Sequence, residues 1–193
     1  MSTPEQFHQE VLQLKDVIID RVMVMRLSNA ALVIIRERTL KGQFLEGSSP
    51  DAGEYSTKPF AMPYAAVATN SLKRELRRNT ETGVLFRQGN KQLWIVVKGG
   101  YKKYRELAGK DTSKATLTWT GRMMRNLGIL NADDSSAILG MKDADTKQLA
   151  LYHNVMGAGK SKKKRVFMGL TEAEKIRLAK FAGEEFLSRI NVK

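Results

Sequence analysis

Chemistry in this chain must be built from few parts. Its 193 residues contain two histidines, His8 and His153, and no cysteine, so thiolate nucleophiles, thiolate zinc sites and disulfide staples are excluded by composition. His153 sits on a helical stretch beside Tyr152 with no second ligand in view and reads as a structural, hydrogen-bonding histidine. His8 reads as a surface residue. Asp133 and Asp134 are adjacent carboxylates, but general acid/base work needs a pocket and partners, and acids in Asn131-Ala132-Asp133-Asp134-Ser135 have the composition of a turn. Gly159-Lys160-Ser161 ends like a phosphate-binding glycine loop, yet the first glycine of that pattern would fall at Asn154, and the segment ahead reads as helix where a strand is required. No catalytic, metal-binding or cofactor-binding set emerges. The expectation is a protein that is not an enzyme and carries no cofactor.

What remains is charge. The formal net charge of +13 is concentrated in two places. Residues 71–105 hold ten Lys/Arg against Glu75 and Glu81, and the run Lys160, Lys162, Lys163, Lys164, Arg165 has no acid, whereas the rest of the chain nearly cancels. Clustered cations supply sequence-independent affinity for phosphates or for acidic protein surfaces. The candidate polyanion- or protein-contact residues are therefore Lys98, Lys102, Lys103, Arg105, Lys160, Lys162, Lys163, Lys164 and Arg165. Lys162-Lys163-Lys164-Arg165-Val166 also fits a nuclear-localisation pattern, a form that short basic loops take by chance.

Elements must position these groups. From Pro4 to Arg36, apolar residues at Phe7, Val11, Leu14, Ile18, Val22, Met25 and Ile35 recur at three- and four-residue steps, which predicts one long amphipathic N-terminal helix over 1–36, on the order of 45 Å. Val17, Ile19, Val24 and Ile34 widen its apolar sector, and a helix apolar on nearly two faces meets more than one partner. Ser28-Asn29 marks a place where it can bend. Residues 41–63, with six glycines and prolines, read as an extended loop. Asn70 to Asn79 reads as a short basic helix, Lys91 to Lys98 as a strand, Lys102 to Leu107 as a short helix, Leu117 to Trp119 as a strand or turn, and Arg122 to Asn126 as one helical turn. Leu127 to Leu130 and Ser136 to Met141 predict a β-hairpin. Asp143 or Asp145 starts a helix through His153, with Gln148 placed for a capping box from Asp145, and Thr171-Glu172-Ala173-Glu174 is a capping box opening a last helix to about Ser188. The fold class is α+β: a small antiparallel sheet packed by helices in a single domain, with a 64–190 core carrying a basic loop at 157–165. No stretch reaches eighteen uninterrupted apolar residues, and Met1 to Gln13 lacks the regions of a secretory signal, so no membrane segment is expected.

Three stretches, in order, resemble one family. Ile35-Arg36-Glu37-Arg38-Thr39, Gly42 and, after a glycine-rich spacer, Pro59-Phe60-Ala61-Met62-Pro63-Tyr64 form the first. Gly100-Tyr101-Lys102-Lys103-Tyr104-Arg105 leading to Leu117-Thr118-Trp119-Thr120-Gly121-Arg122-Met123 forms the second. Tyr152-His153-Asn154, Gly157 and Arg165-Val166-Phe167-Met168-Gly169-Leu170-Thr171 form the third. Together they resemble the tailed-phage virion morphogenesis proteins, which include neck and tail-completion proteins, with Tyr64, Tyr101, Thr120, Gly121, Tyr152, His153 and Phe167 as the family-like structural positions. The resemblance spans most of residues 30–180. It departs at Val166, where proline or alanine is commoner, in the basic character of 157–165, and in the long N-terminal helix. It implies a homo-oligomeric ring, of six or twelve copies, in the virion at the head-tail junction around the DNA channel. The partners would be neighbouring neck, portal-adaptor or tail-terminator and tube proteins, with nonspecific contact to genomic DNA. The competing reading is a sequence-nonspecific nucleic-acid-binding protein that uses the patches at 71–105 and 160–165.

Overall fold

The computed structural model describes residues 19–88, 92–159 and 162–190. Helix α1 spans Arg21–Leu40. Its start corrects the expectation of one helix from residue 4: Asp20 is extended (φ −127, ψ 171), and its carboxylate accepts the Met23 amide at 2.8 Å, the bond of an N-cap. The four-residue step from Ile18 to Val22 keeps the apolar period in phase, so periodicity alone passes over this break. Residues 1–18 lie outside the described residues. At 20 residues, about 30 Å, α1 is the long helix expected toward the N-terminus. Ser28 lies inside the continuous helix, its hydroxyl donating to the Val24 carbonyl at 2.7 Å.

The extended loop ends in a strand, β1 (Phe60–Pro63). A 3-10 turn, Tyr64–Ala66, leads to α2 (Asn70–Arg78), capped by the Thr69 hydroxyl. Strand β2 (Gly83–Gln88), which the sequence reading did not include, pairs with β3 (Gln92–Val97), and β1 joins on the other side. All pairs are antiparallel, in the order β1-β3-β2. Central position explains β3: Ile95 and Val97 are completely buried against Leu72 and Leu76 of α2 and Tyr104 of α3 (Gly100–Leu107). Leu117 to Trp119 forms no strand, and Leu117 itself takes a left-handed backbone (φ 53).

A second core gathers on the other elements. Helix α4 (Arg122–Asn126) runs directly into β4 (Leu127–Ala132), which pairs with β5 (Ala137–Met141) through a bulge between Ile129 and Asn131. Asp133 makes the turn, its carboxylate accepting the Ser135 and Ser136 amides, and these bonds hold its pKa down at about 2. Leu32 and Ile35 of α1, Met123, Met124, Leu127, Met141 and Phe167 pack together here. Helix α5 (Ala144–Leu151) is capped by Asp143, while Asp145 instead pairs with Arg122 at 3.1 Å. It continues as a π-turn, Tyr152–Met156. The capping box at Thr171 forms as expected: the Thr171 amide donates to Glu174 and the Glu174 amide to the Thr171 hydroxyl. It opens α6 (Glu172–Ile190). The result is α+β with small antiparallel sheets packed by helices.

The Asp20 cap is testable. Asp20→Ala removes both the Met23 bond and an ion pair to Arg189 at 2.8 Å, so urea unfolding should show a loss of about 1 kcal/mol. An unchanged midpoint would mean that α1 does not begin there.

Candidate functional site

The basic run at 160–165 is built into the fold by a tight turn. Gly157 takes φ +83, and a Cβ there would overlap the Lys162 carbonyl oxygen, so only glycine permits the close return of the chain. Ala158 and Lys163 exchange both backbone hydrogen bonds, at 2.9 and 3.1 Å. Lys160 lies outside the described residues. The glycine loop follows a π-turn and leads into extended chain, not into the strand-loop-helix setting of a phosphate loop.

Beyond the turn the chain alternates. Lys162 and Lys164 are exposed, whereas Lys163 and Arg165 are 7% and 8% exposed. The inward pair clamps the 41–63 loop. Lys163 Nζ donates to the Asp51 carbonyl at 3.1 Å and also pairs with the Asp51 carboxylate. Arg165 Nε donates to the Ala52 carbonyl and Nη2 to the Glu54 carbonyl, each at 2.8 Å. Main-chain bonds reinforce the clamp: the Leu45 amide donates to the Val166 carbonyl at 2.7 Å, the Ser49 amide to the Lys164 carbonyl at 3.1 Å, and the Lys164 and Val166 amides to the Ser49 and Ser48 hydroxyls. Two of the expected contact cations are thus fold-holding groups.

Asn154 ties the strap from its other side. Its side-chain oxygen accepts the Phe167 and Met168 amides at 2.9 and 3.0 Å, and its amide group donates to the Ala150 carbonyl. Arg38 of α1 donates to the Phe167 and Gly169 carbonyls and pairs with Glu174. The sequence reading assigned Arg38 and Asn154 no site role; an arginine inside an apolar helical stripe was the available signal. His153 is largely buried, with its carbonyl accepting the Arg165 amide at 2.8 Å. Burial first, and then the Arg165 charge, push its pKa down to about 4. Arg165 is itself lowered by burial, and the Lys163 ammonium lowers Asp51. Tyr152 is exposed, while Phe167 is completely buried.

The other basic segment repeats the pattern around aromatic rings. Arg105, 4% exposed, stacks its guanidinium 4.4 Å from the Tyr55 ring and 5.6 Å from Trp119, and donates to the Thr118 carbonyl at 3.0 Å. Tyr104 stacks on Trp119 at 5.4 Å, and Tyr101 lies 5.7 Å from Tyr55 and 6.1 Å from Phe60. Burial raises the Tyr101 pKa. Tyr55 lies between the α3 segment and the strap: its ring meets Tyr101 and Arg105, and Arg165 donates to the carbonyl of its neighbour Glu54. Lys98 is exposed, and Lys102 and Lys103 are half-exposed. The Tyr64 hydroxyl donates to the Lys73 carbonyl at 3.3 Å; Thr120 and Gly121 (φ +73) form the turn into α4, where the Thr120 hydroxyl accepts the Arg122 amide at 3.3 Å.

Within the two basic segments, the exposed cations among the described residues are therefore Lys98, Lys162 and Lys164, with Arg74, Arg77 and Arg78 on the outer face of α2. Among the described residues, no group of three or more His, Asp or Glu could hold a metal ion, and no helix is long and apolar enough to cross a membrane. Comparison with protein-family models, with curated proteins and with solved structures finds no match to this chain.

Two outcomes follow from the clamp. Arg165→Ala leaves the Ala52 carbonyl without its side-chain donor and the Glu54 carbonyl with only the longer bond from Lys163, and should cost about 2–4 kcal/mol in urea unfolding, against less than about 0.5 kcal/mol for Lys164→Ala. Equal costs would refute the division. The second outcome concerns pH. A histidine at about 4 when folded and near 6.5 when unfolded lets the unfolded chain bind more protons between those values, so its contribution is full above pH 6.5 and lost as pH falls toward 4. Between pH 7 and pH 5 the wild type should lose about 2 kcal/mol more than His153→Asn; parallel losses would contradict a buried neutral imidazole.

Proposed function

We propose that this chain is a structural virion protein of a tailed phage, part of the neck as a tail-completion or head-tail joining ring around the DNA channel. One observation carries the reading: the segments that resemble the virion morphogenesis family are those that pack against one another. Arg38 of the first stretch donates to the Phe167 carbonyl of the third. Phe60 of the first lies against Tyr101 and Tyr104 of the second, and Tyr104 stacks on Trp119. In this reading Tyr64, Tyr101, Thr120, Gly121, His153 and Phe167 serve architecture, and the protein acts by binding partners without a reaction. The outward cations Lys98, Lys162 and Lys164 supply modest attraction, either to the DNA that crosses the lumen or to acidic faces of neighbouring rings. Modest attraction suits passage, because every added phosphate contact strengthens retention.

The nucleic-acid-binding alternative is favoured by a specific observation, the row of exposed Arg74, Arg77 and Arg78 on α2. It requires tight binding by the isolated chain with a steep salt dependence.

Quantitative mass spectrometry of purified virions of the encoding phage, referenced to portal and major capsid proteins, separates the two. Six or twelve copies per particle is the expected result for the ring. Absence from particles, together with salt-sensitive DNA binding lost in an Arg74→Ala, Arg77→Ala, Arg78→Ala variant, would overturn the structural reading in favour of the alternative.

A further inference from the structure

Helix α6 is under-covered for its length. Of its described side chains none is fully buried, and Leu178, Phe181, Ala182 and Glu185, all half-buried, form the side turned to α1. Ion pairs Arg26–Glu185, Arg38–Glu174 and Arg189–Asp20 set the two helices antiparallel. On the opposite side of α6, Ile176, Ala179, Gly183, Phe186 and Leu187 recur at helical steps and are all exposed, Ile176 at 71% and Leu187 at 59%. A Cβ on Gly183 would meet nothing within 4 Å. A 19-residue helix draws most of its stability from packing, and one apolar stripe of this helix has no partner within the described residues.

The same chain contains a matching stripe. Phe7, Val11, Leu14 and Ile18 recur at four-, three- and four-residue steps, and from Phe7 to Ile18 they cover the same number of residues as Ile176 to Leu187. Their flanks are acidic, with Glu5, Glu10 and Asp16 against Lys15. The first half of α6 presents the exposed Arg177 and Lys180, and Lys175 paired with Glu172 at 2.6 Å. Length, period and charge therefore agree. Connectivity decides whose stripe is used. Asp20 is fixed beside Arg189 on the α1 side of α6, and Ile18 is two residues away. Two residues span at most about 7 Å, whereas passing to the far side of a helix requires about 10 Å or more. That reach favours a stripe supplied by another copy over the chain's own.

We propose that the stripe Phe7, Val11, Leu14 and Ile18 of one copy of this chain packs on the outer stripe of α6 of a second copy. The inference deepens the ring reading by naming the surface through which copies meet, and it rests on that reading for its place in the virion.

Absence of cysteine makes cross-linking direct. The full-length Leu14→Cys variant is mixed under mild oxidation with full-length Ala179→Cys and, separately, with Gly183→Cys, which covers both helix directions. One of the mixtures should yield a covalent dimer that none of the three variants gives alone, and adding Ile176→Asp to the α6 partner should abolish it while circular dichroism remains unchanged. Dimer from an α6 variant alone, which would mean α6 against α6, overturns the proposal. So does a disulfide confined within one chain of the Leu14→Cys, Ala179→Cys double variant, or no dimer from folded protein. Failure here with six or twelve copies in virions would remove this surface and leave the ring reading; cross-linking with absence from virions would do the reverse.

Discussion

A guanidinium can leave water only when oxygens take its donors, because an unpaired buried charge costs far more than a buried apolar side chain. Arg165 meets this condition with the Ala52 and Glu54 carbonyls, and Lys163 meets it beside them with Asp51. The carbonyls belong to a loop with no ladder of its own, so the two cations satisfy the loop while the loop satisfies them. Much else follows from this contact. The strap reaches it only through the Gly157 turn, Asn154 and Arg38 secure its continuation past Phe167, and Phe167 enters the core beside Leu32, Ile35 and Leu127.

This changes how a basic run is read. Five cations within six consecutive positions suggest a solvated patch, yet extended chain alternates its side chains between two faces. Only Lys162 and Lys164 of the described residues face outward. In the α3 segment, Arg105 is spent on Tyr55 and Trp119 in the same way. The surface available to a polyanion is smaller than composition implies and shifts weight to Lys98 and the arginines of α2. Under the proposed ring reading, such moderation suits DNA passage.

Local signals were legible where a single residue decides the outcome. Thr171 with Glu174, Asp143, and the Asp133 turn were readable because a cap or turn is a short-range contract between side chain and nearby amides. The start of α1 was not, since Asp20 interrupts the helix without interrupting its apolar period. Strand β2 was missed because Val84, Leu85 and Phe86 make a short run, and its identity comes from pairing with β3. The burial of Arg105, Lys163 and Arg165 depends on partners 13 to 113 residues away, such as Thr118 and Ala52, which no local pattern encodes.

The central claim is that residues 163–168 are a docked strap and not a free basic loop. Native-state hydrogen exchange of the Lys163, Val166, Phe167 and Met168 amides, read together with those of Leu45 and Ser49, tests it most directly. The expected result is exchange of all six at rates close to those of the α1 and β4 core amides, with the Lys163 amide released together with Ser49 in an Asp51→Asn variant. Exchange of the strap amides at unprotected rates while α1 and β4 remain protected would contradict the claim and return the whole run to the solvent.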